Sequence, residues 1–251
     1  AGYQSHGATE TCPGHSTILT GNHPAHTGIV ANNYFDLSVA RDDKRVYCAE
    51  DETVAGTTSS SGKYAASVNH LLVPTLGDWM KAANPKAQVV SVAGKDRAAI
   101  MMGGHKADEL MWLVPTGLTS YRGTALSPTA QQAGAAIAAA IAQPRPAATL
   151  PADCASHDIA IPIGDQTSGK GGATVGTGRF QRDGGDFRRF QASPEADGAV
   201  LAAGAALRAA RRMGEGDTTD LLILGLSATD YVGHSTGTEG SEMCMQMLAL
   251  D

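Results

Sequence analysis

The sequence predicts an α/β fold: a mostly parallel, doubly wound sheet flanked by helices, with an inserted cap or auxiliary segment. Two helix-to-strand transitions predict it. A helix that begins after Thr75 is followed by an apolar strand over residues 88–93. A longer helix that begins at Pro194 leads to residues 220–226, a run that is apolar on both faces, as a central parallel strand is. Helices and buried strands that alternate across short connections are typical of α/β proteins.

Local signals mark the ends of the earlier helices. Residues 13–19 predict a short helix, with Pro13 in its first turn and Gly21 at its C-terminal stop. The helix after Thr75 ends at Asn84, because Pro85 cannot continue it. Its apolar face is predicted to consist of Leu76, Trp79 and Met80.

The middle of the chain fits the α/β pattern less well. An alanine-rich helix is predicted over residues 131–141, and the glycine-rich stretch 164–185 predicts loop and hairpin. We therefore expect three parts, which are a first core segment (1–125), an insertion or auxiliary segment (126–192) and a second core segment (193–251).

Residues 164–171, GDQTSGKG, come close to the phosphate-binding P-loop pattern. Gly171 stands where that motif needs a Ser or Thr hydroxyl for Mg²⁺, and no apolar helix follows. We therefore reject a nucleotide site in this segment.

The overall composition bears on the partners. A formal net charge of −6 argues against nucleic acid as a specific partner. No apolar run reaches the about 18 residues that a membrane span needs, so we expect none. The chain starts at Ala1 without an initiator Met and stops within a helical pattern at Asp251, which suggests a fragment cut at both ends.

Four cysteines occur without CxxC spacing, so a zinc ribbon and a thioredoxin-type motif are not expected. In an oxidising compartment they allow three disulfide connectivities. Cys48–Cys154 is one pairing that we considered.

A carboxylate and an imidazole follow the second apolar strand. Asp230 and His234 are four residues apart, so a helical turn would place both side chains on one face. Ligands of open α/β sheets bind beyond the carboxyl ends of strands, and this donor pair suits zinc or a similar metal. The alternative is that Asp230 caps a helix and His234 is an ordinary surface histidine.

Two cations follow the first apolar strand, in the segment GKDR. Lys95 and Arg97 could clamp an anion, with the planar fork of the arginine gripping a phosphate. Asp96 between them would partly neutralise the pair. The alternative is that these are solvated charges at a helix start.

The segment TETCPGH places several nucleophiles at a helix N-terminus, where the helix dipole and free N–H groups favour an anion. Cys12 is the more reactive by its own chemistry, but needs a base that the sequence cannot place. Thr11 would need a metal to become an alkoxide. A simple helix cap is the alternative for Thr11.

Three segments in this order resemble one known family: TETCPGHSTILTGNHPAHTGIVANNYFD, then VAGKDR, then the stretch from SPEADG to ATDYVGH. The sequence is similar to the alkaline phosphatase superfamily, in the branch of type I phosphodiesterases and nucleotide pyrophosphatases. Within that branch it resembles the bacterial alkaline phosphatases with a threonine nucleophile. The likeness covers most of the chain and is weakest over residues 125–191.

The resemblance implies a role for each candidate residue. Thr11 would be the nucleophile and, as an alkoxide, a ligand of one metal, while His15 would support the helix start. Asn32, Lys95 and Arg97 would bind phosphoryl oxygens, and the GKDR pair favours monoesters over diesters. The metal ligands implied within this sequence are Asp230 and His234.

The implied activity is metal-dependent hydrolysis of small phosphate monoesters through a phosphothreonine intermediate, with two Zn²⁺ in the full-length protein. This chain would supply at most one weakly held zinc site and, taken alone, would be inactive or nearly so, because the remaining ligands would lie outside residues 1–251. The alternatives are a phosphodiesterase or nucleotide pyrophosphatase, a phosphonate hydrolase, or a non-catalytic phosphate-binding relative. The family implies a periplasmic or secreted protein, and we favour a monomer.

Overall fold

The computed structural model describes Gly7 and residues 9–164 and 173–251, and it contains a four-stranded sheet with helices between its strands. The helices in these ranges are α1 (Thr11–Thr20), α2 (Pro24–Thr27), α3 (Leu76–Ala83), α4 (Asp96–Gly103), α5 (Pro128–Ala142), α6 (Phe187–Gln191), α7 (Pro194–Arg211), α8 (Ala228–Thr236) and α9 (Ser241–Leu250). A 3-10 helix covers Ala152–His157. The strands are β1 (Asn33–Phe35), β2 (Arg45–Tyr47), β3 (Val89–Ala93), β4 (Glu109–Val114), β5 (Gly117–Thr119), β6 (Ile161–Ile163), β7 (Ala173–Val175) and β8 (Leu221–Gly225).

The sheet has the strand order β5-β4-β3-β8. Strand β3 is parallel to both neighbours, and Val92 pairs with Met111 on one side and Leu224 on the other. The predicted α/β fold with parallel pairing is confirmed. The predicted central strand 220–226 differs in position, because β8 is an edge strand of the described sheet and its leucines 221, 222 and 224 are only partly buried.

The described residues form two compact units. One contains the chain up to Leu113 together with Leu118–Gln131 and Ala203–Gly225, and the other contains Val114–Gly117, Gln132–Ala202 and Leu226–Asp251. The proposal that residues 126–192 are an insertion between two core segments stays a prediction.

Strand β3 forms the core of the first unit. All five of its residues are buried, and helix α4 packs on it with a buried run over residues 98–103. This burial explains the apolar sequence of both elements, since apolar surface removed from water stabilises the fold.

Helices α1 and α3 end where the local signals predicted. Gly21 closes α1 in a left-handed conformation, with φ of 67°. Thr75 caps α3 in a capping box with Asp78, and Asn84 is the C-cap.

The predicted apolar face of α3 is wrong. Leu76 and Trp79 are exposed, and Gly77 and Asp78 are the buried residues. Gly77 lies so close to β3 that a Cβ there would be 2.8 Å from Cγ1 of Val89. The close approach turns the small residue toward the sheet and the large apolar residues outward.

The second unit contains the predicted alanine-rich helix α5 from Gln132 onward and a β6–β7 hairpin. Residues 165–172, which include most of the rejected P-loop segment, lie outside the described residues. Arg182 is buried there and donates hydrogen bonds to the carbonyl oxygens of Gln143 and Ala140 and to the Glu195 carboxylate. A disulfide joins Cys154 to Cys244.

No helix in the described ranges is both long and apolar enough to cross a bilayer.

Candidate active site

The first turn of α1 places Thr11 at the positive end of a helix dipole. Thr11 is the first helical residue, is partly buried, and its hydroxyl makes no hydrogen bond to any residue that the structure describes. His15 lies one turn later, with Nδ1 2.8 Å from the Thr11 carbonyl oxygen. The hydroxyl lies at a position that favours negative charge.

Asn32 lies beside this helix start and is held by three hydrogen bonds. The Cys12 backbone N–H donates to Asn32 Oδ1 at 2.8 Å. The Cys48 backbone N–H donates to the Asn32 carbonyl oxygen at 3.0 Å, and the Asn32 backbone N–H donates to the Glu10 carboxylate. These contacts use every polar group of Asn32 except Nδ2, which remains as a donor.

A disulfide between Cys12 and Cys48 removes two alternatives that the sequence left open. It removes Cys12 as a free thiol nucleophile. It also excludes the pairing Cys48–Cys154, because Cys154 is bonded to Cys244. The connectivity depends on which chain segments meet in the fold, and the sequence pattern does not encode that.

The cations predicted to clamp an anion lie at the start of α4, which packs against α1. Lys95 is the N-cap residue and is only 5% exposed, and Arg97 lies in the first turn, partly buried. The Tyr47 hydroxyl is 3.5 Å from Nη1 of Arg97, and Tyr47 immediately precedes Cys48. Lys95 and Arg97 are therefore on a helix in contact with the helix that carries Thr11.

Asp96 is more than a partial neutraliser of the two cations. Its carboxylate accepts hydrogen bonds from the hydroxyls of Tyr47 at 2.8 Å and Tyr64 at 2.7 Å, while its closest approach to the Arg97 guanidinium is 4.0 Å. Burial, and secondarily the Asp96 charge, raises the pKa of both phenols above the usual range, which keeps them neutral donors. The sequence analysis missed both tyrosines, because no local pattern connects them with Asp96.

The second unit carries Asp230 and His234 on α8. Asp230 Oδ1 and His234 Nε2 are 3.6 Å apart, so the two side chains share one face of the helix as the spacing predicted. Asp197 of α7 supports this helix by accepting a 2.9 Å hydrogen bond from the Ala228 backbone N–H, and it also accepts from Gln246. Sequence reasoning missed Asp197 because its partners lie 31 and 49 residues away.

The donors on α8 fit a metal only in part. Carboxylate and imidazole are both zinc ligands, and their separation allows them to meet at one ion. Within the described ranges, however, no group of three or more His, Cys, Asp or Glu side chains is arranged to hold a metal ion. Thr11 and Asn32 lie in one compact unit with Lys95 and Arg97, and the α8 pair lies in the other.

A family model for "Type I phosphodiesterase / nucleotide pyrophosphatase" matches residues 3–251. The chain belongs to the type I phosphodiesterase/nucleotide pyrophosphatase family.

This member of the family is 57% identical to alkaline phosphatase PhoK of Sphingomonas sp. over 251 residues, which is 100% of this chain and 43% of PhoK. Its structure resembles the crystal structure of wild-type alkaline phosphatase PafA, with a TM-score of 0.75 and 27% identity over 97% of this chain and 48% of PafA. A PafA variant substituted at a threonine, an asparagine, a lysine and an arginine matches with the same TM-score, 25% identity and the same coverage. The chain thus spans less than half the length of these relatives.

Proposed function

We propose that the protein containing this chain hydrolyses phosphate monoesters, with Thr11 as the nucleophile. The observation that carries the proposal is the helix start itself, where Asn32 accepts a hydrogen bond from the backbone N–H of Cys12, the residue that follows Thr11. A hydroxyl beside a fixed donor at the positive end of a helix suits attack on a phosphoryl group.

Lys95 and Arg97 would bind the remaining charge of the substrate. A monoester dianion carries more negative charge than a diester, so it gains more from two nearby cations. The planar guanidinium of Arg97 can donate hydrogen bonds to two phosphoryl oxygens at once. It can keep both bonds when the phosphoryl group flattens in the transition state. Asp96 accepts hydrogen bonds from two tyrosine hydroxyls at 2.8 and 2.7 Å, whereas its closest approach to the Arg97 guanidinium is 4.0 Å, so its tightest contacts are with the tyrosines.

The catalytic cycle assigns one task to each residue. Thr11 Oγ1 loses its proton to solvent and attacks phosphorus, while the P–O bond to the leaving group breaks in line and the departing alkoxide takes up a proton from water. A water molecule then attacks the phosphothreonine, which releases inorganic phosphate and restores the Thr11 hydroxyl. Asn32 Nδ2 donates to a phosphoryl oxygen during both steps. Asp230 and His234 would hold a zinc ion together with donors from outside the described residues. Bound zinc supplies positive charge that lowers the cost of an anionic oxygen.

The substituted PafA variant supports the choice of site residues. Its threonine and asparagine are separated by the same number of positions as Thr11 and Asn32, and its lysine and arginine by the same number as Lys95 and Arg97. Residue types and spacings agree within each pair, and this agreement supports assigning Thr11, Asn32, Lys95 and Arg97 to the site.

The two disulfides favour an oxidising compartment, and we therefore propose that the protein is periplasmic or secreted.

A second candidate activity is the hydrolysis of phosphodiesters or nucleotide pyrophosphates, which is favoured by the name of the matching family. Relative rates on p-nitrophenyl phosphate and bis-p-nitrophenyl phosphate distinguish the two candidates.

Trapping the covalent intermediate tests the proposal. The intact protein is mixed with ³²P-labelled monoester, quenched in acid and digested, and we expect the label on the peptide TETCPGH. Thr11→Ala should abolish both label and turnover, whereas Thr9→Ala, at an exposed threonine in the same peptide, should keep both. Label that persists in Thr11→Ala would show that another residue is the nucleophile.

A further inference from the structure

We infer that the Cys12–Cys48 disulfide is a positioning element of the phosphate site, which fixes the donor of Asn32 relative to Thr11. The inference rests on the proposed function and assigns the cross-link a role beyond stability. Both cysteines are fully buried, and each one binds Asn32 through its own backbone N–H.

The cross-link joins two elements that otherwise meet weakly at this point. Asn32 directly precedes β1 and Cys48 directly follows β2, and the two strands form a ribbon of only three residue pairs. The bond from the Cys48 N–H to the Asn32 carbonyl oxygen continues that ribbon by one step. Isolated two-stranded ribbons are marginally stable, so the disulfide adds a covalent anchor to the hydrogen bonds by which Cys12 and Glu10 hold Asn32 at the helix start.

The orientation of the Asn32 amide follows from the same contact. A backbone N–H can only donate, so the side-chain atom facing Cys12 is the oxygen, Oδ1. Nδ2 is then directed away from Cys12 as the one remaining donor of the side chain. If α1 and β1 shift apart, the Asn32 amide loses the partner that selects this orientation.

The test is a double-mutant cycle in the intact protein. Cys12→Ser/Cys48→Ser removes the cross-link and leaves both backbone N–H groups in place. We expect inhibition by inorganic phosphate to weaken about ten-fold, the value of one hydrogen bond to a charged ligand. In an Asn32→Ala background the same cysteine substitutions should change phosphate inhibition by less than about two-fold, because the donor they position is already absent.

The matched control is Cys154→Ser/Cys244→Ser, which removes the other disulfide. It should lower the midpoint of urea unfolding without weakening phosphate inhibition. Because loss of a disulfide destabilises the fold, all variants are measured in trimethylamine N-oxide, which favours the folded state, and circular dichroism establishes that each is folded.

Two outcomes overturn the inference: an equal loss of phosphate inhibition in both disulfide variants, or additive effects of the cysteine and Asn32 substitutions. Failure of the proposed function has a different signature, since the unmodified protein would then neither hydrolyse p-nitrophenyl phosphate nor respond to phosphate. Glu10→Ala adds an independent check. It removes the acceptor for the Asn32 backbone N–H while leaving the disulfide intact, and should weaken phosphate inhibition in the same direction.

Discussion

The backbone N–H of Cys12 donates a 2.8 Å hydrogen bond to Oδ1 of Asn32, across 20 residues of sequence. The bond joins the first turn of α1 to the residue before β1. The bond therefore holds Asn32 next to the residue that follows Thr11. For the phosphate site proposed above, we expect binding to need little further ordering of these residues.

Arg97→Ala should damage monoester hydrolysis more than diester hydrolysis. We expect a loss of about 100-fold or more in kcat/KM for p-nitrophenyl phosphate, on the scale of a lost transition-state donor, and a smaller loss for the bis-ester. The reason is the extra charge of the monoester, which the guanidinium neutralises. Both rates are measured on the same preparation, and equal losses would contradict the assignment of Arg97.

Asp96→Ala should destabilise the protein by about 2–4 kcal/mol, because the buried Tyr47 hydroxyl and the hydroxyl of the partly exposed Tyr64 lose their shared acceptor. Asp42→Ala removes the same charge at an exposed position and is the control. Urea unfolding followed by circular dichroism measures both. A similar small change in the two variants would show that the tyrosine contacts contribute little.

Asp197 should make stability fall as the pH rises from about 4. Burial raises its pKa above the ordinary value of 3.8, so the unfolded chain loses this proton at a lower pH than the folded protein. Between the two pKa values ionisation favours the unfolded state, whereas below the unfolded pKa both states keep the proton. The asparagine side chain of Asp197→Asn cannot ionise. The free energy of unfolding of this variant, minus that of the unmodified protein, should therefore increase as the pH rises across this window.

Urea unfolding at intervals from pH 3 to pH 8 measures that difference. Asp217→Asn, at an exposed aspartate, controls for the loss of one negative charge. A difference between Asp197→Asn and the unmodified protein that stays constant with pH would contradict the expected direction.

Gly77→Ala should destabilise the first unit by about 1–3 kcal/mol, the typical cost of overpacking. The new Cβ would lie 2.8 Å from Cγ1 of Val89, which is too close for two carbon atoms. Gly198→Ala is a helical control with no heavy atom within 4 Å of its Cβ, and it should stabilise by about 0.5–1 kcal/mol. Thermal unfolding measures both, and a stabilised Gly77→Ala would show that α3 can move away from β3.

Local features predicted the ends of α1 and the cap of α3. Pro13, Gly21 and Thr75 act through hydrogen bonds and sterics within a few residues, so their effect can be recognised without the rest of the fold. The face that α3 buries could not be recognised in this way. It depends on how closely Gly77 approaches β3, which is a property of two segments that meet only after folding.

The same distinction separates the parts of the candidate site. The spacing of Asp230 and His234 predicted a shared helix face, because four residues make about one helical turn. The partners of Asp96 were not predictable, because Tyr47 and Tyr64 come from loops and strands 49 and 32 residues away.

By itself the sequence determined the α/β class and the two helix-to-strand units, α3 with β3 and α7 with β8, and it predicted which residues could bind a phosphoryl group. Those properties depend on short-range backbone preferences and on the chemistry of single side chains. Only the tertiary structure decided which cysteines pair, which side chains hold Asn32 and Asp96, and which face of α3 is buried. Each of these depends on contacts between distant segments, whose geometry is set when the whole unit packs.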